Sequence, residues 1–353
     1  MRRPQAAGSR KRKKLLATVA VVGAAALAAG AALWLSSGRP IGTVNGTPFY
    51  AQELVMYGER FRAAVSSEFC QTYGLPGTGA DFWSEEYDGT LPVDVLLDRA
   101  VQELTRDKVI QQECVARGIA APLDFRQLEK ALALENQDRA AAISSGGAVY
   151  GTQQYTLEQY SDYQMTLSTD ELKERLLEEL APTRSQLQEA FDSLDETFRR
   201  KDFTADGYRF SWDGGPGVDE GLALIQGALL DGAQPLELPS RLADQLAGLS
   251  AETFSLDTAA RSKDDLEGDL LTGLLFSAAP GDCVGDRSSG ECTVYFVTEK
   301  EGGGYYTLDE APGLAENKFV NDAFDALVEE RTQQAVVEVD QNRARAILLD
   351  ALQ

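Results

Sequence analysis

The sequence predicts an α+β fold, mostly helical, with a small strand pair, an inserted α/β segment and one N-terminal transmembrane helix. Three observations support this prediction. Residues 15–35 form a run of 21 residues without a charge. Apolar residues then recur at helical spacing through residues 51–200, and again after residue 311. Between these helical parts, residues 201–310 contain strand patterns such as Cys292–Lys300, separated by glycine-rich turns.

The apolar run is predicted to be a membrane anchor over residues 15–36, with residues 1–14 as a basic cytoplasmic tail. As a helix, the run is about 32 Å long, which is enough to cross a bilayer core. A cleaved signal peptide is the alternative, with small residues such as Ala29 and Ala31 as possible cleavage sites. The anchor is favoured because the run is longer than a usual signal core. The rest of the chain is then expected outside the cell membrane, with a single pass.

The charge balance excludes several classes of function. The chain of 353 residues has 33 basic and 56 acidic residues, a net charge of −23, and its first 14 residues contain seven of the basic ones. The remaining acidic surface repels phosphate backbones, so nucleic acid is not an expected partner. The chain has no histidine. This excludes Ser-His-Asp and Cys-His catalytic sites and histidine-built zinc sites, and no cofactor or metal is expected.

The four cysteines form an even number in a predicted extracytoplasmic chain, which favours disulfides. Cys283 and Cys292 bracket a predicted hairpin loop, so we expect them to pair locally, contributing roughly 2.5–3 kcal/mol. Cys70 and Cys114 are then left as the second pair. Four buried free thiols are the alternative. No C-x-x-C motif is present, which argues against a redox enzyme.

The elements follow from local signals. The Asn45-Gly46 pair, flanked by strand-forming residues, predicts a hairpin, and a helix is predicted from Ala51 onward. Capping boxes predict two helix starts, at Ser168–Glu171 and at Thr183–Gln186. After residue 201 the predictions are a strand over 203–212, a helix over 218–230, loop and short helix over 236–260, a strand over 292–300, a long helix over 314–335 and a strand over 336–340.

Four short segments resemble secreted parvulin-type foldases and periplasmic chaperones of the SurA and PrsA kind: "VNGTPFYAQEL", "DKVIQQECVARGI", "APTRSQLQEAF" and "VVEVDQNRARAIL". The resemblance implies three parts, which are a SurA N-terminal-like helical chaperone domain over 40–200, a parvulin-like domain over 201–310, and a helix-strand-helix over 311–353 that returns to the helical domain. It also implies that a strand over Ile41–Val44 pairs with one over Val336–Val339. Such a domain is expected to expose apolar patches to unfolded chains.

The parvulin-like domain departs from the family's pattern at its active site. The resemblance implies one histidine in the first strand, a second in the last hairpin, and an aspartate or cysteine between them. In this sequence the corresponding positions are occupied by Tyr208 or Arg209, by Cys292 or Thr293, and by Asp265 or Asp269. The domain is therefore expected to be degenerate and to lack strong isomerase activity.

The resemblance implies a membrane-anchored bacterial chaperone or foldase that binds unfolded secreted polypeptides outside the cell membrane. Two alternatives remain open. One is a working peptidyl-prolyl cis-trans isomerase with a histidine-free site. The other is a cell-envelope interaction protein with one dedicated partner.

Overall fold

The computed structural model describes residues 38–121, 124–260, 266–287 and 292–353. The predicted tail and anchor, residues 1–36, lie outside these residues. Among the described helices, none combines the length and apolar character needed to cross a membrane. The mixed α+β class is confirmed. The chain divides into two compact units: a helical unit (Met1–Ala181 with Val320–Gln353) and a sheet unit (Pro182–Phe319).

The strands and helices of the described residues are numbered here in chain order. They are β1 (Gly42–Val44), β2 (Thr47–Phe49), α1 (Ala51–Tyr73), α2 (Pro92–Ala116), α3 (Phe125–Ser144), α4 (Leu157–Leu180), α5 (Arg184–Asp192), β3 (Phe203–Trp212), α6 (Val218–Leu230), α7 (Leu238–Arg241), β4 (Ser250–Asp257), α8 (Leu266–Leu275), β5 (Cys283–Asp286), β6 (Cys292–Gly302), α9 (Pro312–Gln333), β7 (Val337–Val339) and α10 (Gln341–Ala351).

The first strands of the helical unit pair with its last strand. The sheet order is β2-β1-β7, and β1 is antiparallel to both neighbours, so the predicted pairing of the chain's two ends is confirmed. Asn45, at φ +50°, makes the β1–β2 turn with Gly46. Its side-chain oxygen accepts a hydrogen bond from the Val336 amide at 2.8 Å, and its nitrogen donates to Gln112 at 2.9 Å. Asn45 thereby connects the β1–β2 turn and the residue before β7 to α2.

Helices α1 and α2 form an antiparallel hairpin at the centre of the helical unit. The start of α1 meets the end of α2 through a Glu53–Lys108 ion pair of 2.7 Å, and both side chains are buried. Helix α10 packs on the same core through Leu348. A Cβ at Gly58 of α1 would lie 2.8 Å from that leucine. The glycine therefore allows α10 to approach α1 closely.

Helix α4 begins eleven residues earlier than its predicted capping box. Its N-cap is Thr156, which forms the capping box with Gln159. Ser168 lies in the middle of the helix, where it is buried and its hydroxyl donates to the carbonyl of Ala120. The prediction of a helix start at Ser168 is therefore wrong, because this serine packs against the end of α2. The prediction at Thr183 is confirmed, since it caps α5.

The sheet unit is built on four antiparallel strands in the order β4-β3-β6-β5. The strand over 203–212 and the helix over 218–230 are confirmed at both ends. Strands β4 and β5 lie in segments that were predicted as loops. In β4 only Leu256 is buried, and polar residues occupy most of the other positions of the strand. The sequence of β4 therefore lacks the sustained apolar alternation that identifies a strand. Gly285 weakens the pattern in β5, and a Cβ there would lie 2.5 Å from Val218.

All four cysteines are free thiols, so both predicted disulfides are wrong. In the β5–β6 pair, Cys283 lies opposite Phe296. Cys292 is four residues away along β6, or about 13 Å at the usual rise of a strand. The Cα atoms of a disulfide are at most about 7 Å apart. The register of this hairpin therefore keeps the two thiols apart.

The second predicted pair is separated by the antiparallel arrangement of α1 and α2. Glu68 near the end of α1 pairs with Arg99 in the first half of α2. Cys70 therefore lies near the level of Arg99. Cys114 is fifteen residues further along α2, about 22 Å away at 1.5 Å per residue. It packs instead with α4, where its thiol contacts the carbonyl of Ser168 at 3.4 Å.

Candidate functional site

The sheet unit brings two of the predicted site residues onto one face. Arg209 in β3 lies directly opposite Glu252 of β4 and Tyr295 of β6. Residues directly opposite each other in neighbouring strands share a face of the sheet. Thr293 lies two residues from Tyr295, opposite Ser211, and therefore shares this face as well. We call it the Arg209 face.

Other predicted site residues lie elsewhere. Cys292 and Tyr208 belong to the opposite face, where they pack with the core of α6 and α7. Strand alternation therefore separates Cys292 from Arg209. Asp269 is exposed and lies in α8, the helix whose leucines pack on the Arg209 face around Tyr295. Asp265 lies outside the described residues.

The polar groups of the Arg209 face are hydroxyl groups, the Arg209 guanidinium and the Glu252 carboxylate. Ser211 and Ser250 share a hydrogen bond of 2.8 Å between their hydroxyls. The Thr293 hydroxyl is buried and has no hydrogen-bond partner among the described residues. Hydroxyl groups of this kind can orient a peptide carbonyl, but they are not general bases near neutral pH.

Two of the four thiols lie in surroundings that disfavour the nucleophilic thiolate. Burial raises the pKa of Cys283 to about 11, and burial likewise raises the pKa of Cys114 to about 11. A thiol with so high a pKa remains protonated at neutral pH, and the protonated form is a poor nucleophile. Burial therefore disfavours the thiolate form of both residues at neutral pH.

The helical unit exposes apolar side chains along one segment, residues 129–167, which we call the apolar arm. It contains most of α3, the following loop and the first half of α4. Helix α3 buries only Phe125 and Leu128, both in its first turns. The large side chains that the arm exposes are Leu134, Ile143, Tyr150, Tyr163 and Leu167, which are 59%, 41%, 89%, 43% and 47% exposed. They lie on several sides of the arm and do not form a single stripe.

Polar contacts fix the loop of the apolar arm to α3. The Asn136 side chain donates to the carbonyl of Tyr155 at 2.9 Å and accepts from its amide at 2.8 Å. The Arg139 guanidinium donates to the carbonyls of Tyr150 and Thr152 and lies 4.3 Å from the Tyr155 ring centroid. Tyr155 also stacks on Tyr163 at 5.7 Å. The arm is therefore held in shape by polar groups while its apolar side chains face solvent.

A cavity of about 460 Å³, which we call the charged cavity, also lies in the helical unit. Four helices line it: α1, α2, α4 and α9. Its apolar lining residues are Ile110, Met165 and Phe324. Its charged lining residues are five carboxylates and three cations: Glu103, Asp107, Asp162, Asp170, Asp325, Arg60, Arg106 and Lys173. Sequence reasoning did not find this cavity, because no short motif connects residues of four separate helices.

A buried carboxylate lies at the charged cavity. Asp107 is 7% exposed, and the Tyr57 hydroxyl donates to it at 2.7 Å. Burial raises the pKa of Asp107 above its ordinary value, although the bond from Tyr57 and the charge of Arg60 act in the opposite direction. Burial also raises the pKa of Tyr57, and the charge of Asp107 adds to this effect. The hydroxyl therefore remains a donor over the physiological pH range.

Comparison with known proteins returns chaperones and foldases. No protein-family model matches the chain. A protein of Bifidobacterium longum subsp. longum named "Chaperone for lacto-N-biosidase" is 30% identical over 98 residues, which are 28% of this chain and 35% of that protein. The chain therefore matches about a third of the length of this curated relative.

Solved structures of two kinds are similar to the model. A SurA-like chaperone of Campylobacter jejuni matches with a TM-score of 0.32 and 10% identity, over 86% of this chain and 99% of that one. The foldase PrsA of Lactococcus lactis matches with a TM-score of 0.34 and 12% identity, over 90% and 100%. PrsA of Streptococcus pneumoniae matches with a TM-score of 0.25 and 12% identity, over 76% and 98%. Similarity at these TM-scores does not establish which residues correspond. The residue roles given for this chain therefore rest on its own contacts. The chain is similar to SurA-like chaperones and PrsA foldases, the proteins that its sequence motifs resemble.

Proposed function

We propose that this chain is an extracytoplasmic chaperone that holds unfolded secreted polypeptides on its apolar arm, with residues 15–36 as its membrane anchor. The observation that carries this proposal is the arm itself. Its loop is fixed by side-chain hydrogen bonds to the backbone, yet five large apolar side chains remain exposed. Five large exposed apolar side chains on one ordered segment offer an interaction surface to an unfolded client. Resemblance to chaperones in sequence and in structure supports the same role.

The arm suits a client without fixed structure. Covering one large apolar side chain contributes about 1.5–3 kcal/mol when burial is complete. The apolar side chains point in several directions, so an extended segment can cover a few of them at a time. Ordering that segment offsets part of the gain. The resulting binding is weak and reversible, which allows a client to dissociate and fold.

Aggregation of an unfolded client tests this proposal. The measurement is light scattering, with and without residues 38–353 of the chain. We expect the triple variant Leu134→Gln, Ile143→Gln and Leu167→Gln to lose most of the protection. The matched control replaces three exposed leucines of the sheet unit, Leu230, Leu236 and Leu270, by glutamine. Equal protection by both triple variants would contradict the proposal.

A dedicated client is the second candidate. The name of the Bifidobacterium longum relative describes a chaperone for a single enzyme, and this favours a chaperone with one client over a general one. Affinity capture from the native host separates the two possibilities. One stoichiometric partner supports the dedicated chaperone, whereas many partners at low occupancy support the general one.

A further inference from the structure

The charged cavity combines an apolar floor with unpaired acceptors. Ile110, Met165 and Phe324 form the floor, and its volume of about 460 Å³ lies within the range of ligand sites. Met165 and its neighbour Thr166 lie on α4 between Tyr163 and Leu167, two of the exposed residues of the apolar arm. The cavity and the arm therefore share one helix.

One buried carboxylate of α2 that lines the cavity, that of Asp107, can accept further hydrogen bonds. Asp107 accepts one hydrogen bond, from the Tyr57 hydroxyl, and among the described residues no cation lies within ion-pair distance of it. Gln111 follows one helical turn later, is 6% exposed and does not itself line the cavity, although it contacts Met165, which does. Its side-chain oxygen has no partner among the described residues, while its nitrogen contacts the Met165 sulfur at 3.5 Å.

The charges around the cavity favour a cation. Glu103, Asp170 and Asp325 have no ion pair or hydrogen bond among the described residues. The Lys173 ammonium lies 5.0 Å from the Phe324 ring centroid, so the aromatic floor already accepts one cation in the geometry of a cation–π contact. With five carboxylates and three cations, the lining remains net negative.

We propose that the charged cavity binds a lysine or arginine side chain of the client, so that this chaperone selects apolar segments that contain a basic residue. This inference rests on the proposed function. The methylene stem of such a side chain lies on Met165, as long basic side chains do on apolar surfaces. Its head group donates to the carboxylates of Asp107, Asp170 and Asp325 in charge-assisted hydrogen bonds. A neutral side chain leaves these acceptors unpaired, and an acidic one is repelled.

Matched peptides test the inference. The full-length protein is held in a nanodisc of zwitterionic lipid, and fluorescence anisotropy measures the binding of two labelled apolar peptides. One has a central arginine and the other a central glutamine. We expect the arginine peptide to bind about tenfold more tightly than the glutamine peptide. In the variant Asp170→Asn/Asp325→Asn the preference for the arginine peptide over the glutamine peptide should fall below about threefold.

The control removes two charges from the same helices outside the cavity, as Glu174→Gln/Glu329→Gln. It should retain the full preference for arginine. If the control loses as much preference as the cavity variant, the general acidity of the chain is responsible and the cavity site is overturned. Equal binding of both peptides to the unaltered protein also overturns it, while protection of an aggregating client in the same preparation leaves the proposed function intact. Absence of both peptide binding and client protection overturns the proposed function itself.

Discussion

The side chains of Lys108 and Glu53 are 1% and 5% exposed, and their ion pair of 2.7 Å joins α2 to α1. Glu53 also accepts a hydrogen bond from the Tyr50 amide, at the start of α1. Removing one partner of a buried pair leaves an uncompensated charge, which costs about 3–5 kcal/mol. We expect Lys108→Met to lower the free energy of unfolding by this amount in a urea titration.

The control for this variant is Arg99→Met. It breaks the Arg99–Glu68 pair between the same two helices, whose side chains are 34% and 55% exposed. An exposed pair contributes about 0–1 kcal/mol, so the control should lose little stability. A small and equal loss in both variants would show that the buried pair does not hold the helix hairpin together.

The buried carboxyl of Asp107 gives a pH-dependent prediction. Burial raises its pKa above the ordinary value of 3.8. Because the pKa of Asp107 is higher in the folded than in the unfolded protein, ionisation of this carboxyl lowers the free energy of unfolding at neutral pH. That stability is regained as the pH falls through the folded-state pKa toward the unfolded-state value. We therefore expect Asp107→Asn to raise the free energy of unfolding at about pH 7, and this gain to shrink at about pH 4.

Asp98→Asn is the matched control, since Asp98 lies on the exposed side of the same helix. Its effect on the free energy of unfolding should be small at both pH values. A gain for Asp107→Asn that does not change between the two pH values would contradict the assignment. A confirmed gain would indicate that this carboxylate is kept at a cost to stability, as a binding role for the charged cavity requires.

At the scale of elements, one lysine of β6 holds the end of α8. The Lys300 ammonium donates to the carbonyls of Leu275, Phe276 and Ala278 at 2.9, 2.6 and 2.8 Å. It also lies 4.6 Å from the Phe203 ring centroid. Hydrogen bonds to a charged group contribute about 1.5–3 kcal/mol each. Helix α8 packs on the Arg209 face, so this lysine fixes the helix that covers the face.

We expect Lys300→Met to weaken the local stability of α8 by at least about 2 kcal/mol, because three carbonyls lose their donor. Amide hydrogen exchange over Leu266–Leu275 should become about 30-fold faster. Lys201→Met is the control in the same unit, since its 2.6 Å pair with Glu310 is partly exposed. Unchanged exchange in α8 of the Lys300 variant would mean that the leucine contacts alone hold the helix.

The elements that could be predicted from the sequence are those with a complete local signal. Asn45-Gly46 predicts the first hairpin, and the capping box at Thr183 predicts the start of α5. Ser168 carries the same motif but lies inside α4, because tertiary packing overrides a local capping signal. The two disulfides could not be judged from the sequence. Their exclusion depends on the register of β5 against β6 and on the direction of α1 against α2.

At the scale of the whole molecule, residues of distant segments meet in sites that no motif describes. The charged cavity combines Arg60 of α1, Asp107 of α2, Asp170 of α4 and Asp325 of α9. Each of these residues alone resembles ordinary acidic or basic surface. The Arg209 face could be predicted in part, since strand alternation places Arg209 and Thr293 together once the pairing of β3 with β6 is known. The pairing itself is a long-range property and was not predicted.

The two units lead to different expectations for a folding client. Rotation about a prolyl bond has a barrier of about 18–20 kcal/mol, and an enzyme lowers it by burying the proline and polarising the amide. The Arg209 face contains no histidine, and the Thr293 hydroxyl has no partner among the described residues to orient it. We expect residues 38–353 to raise the final yield of a refolding client whose slow phase is a native cis-proline, without changing the rate of that phase.

A faster slow phase would contradict this expectation and make the isomerase alternative the better one. The variant Thr293→Val would then locate the activity, because it removes the buried hydroxyl with little change in shape. A matched change on the opposite face of the same strand, Cys292→Ser, should leave the rate unaltered. A raised yield at an unchanged rate indicates that the chain holds its client without catalysing isomerisation, since holding requires exposed apolar surface and no catalytic group.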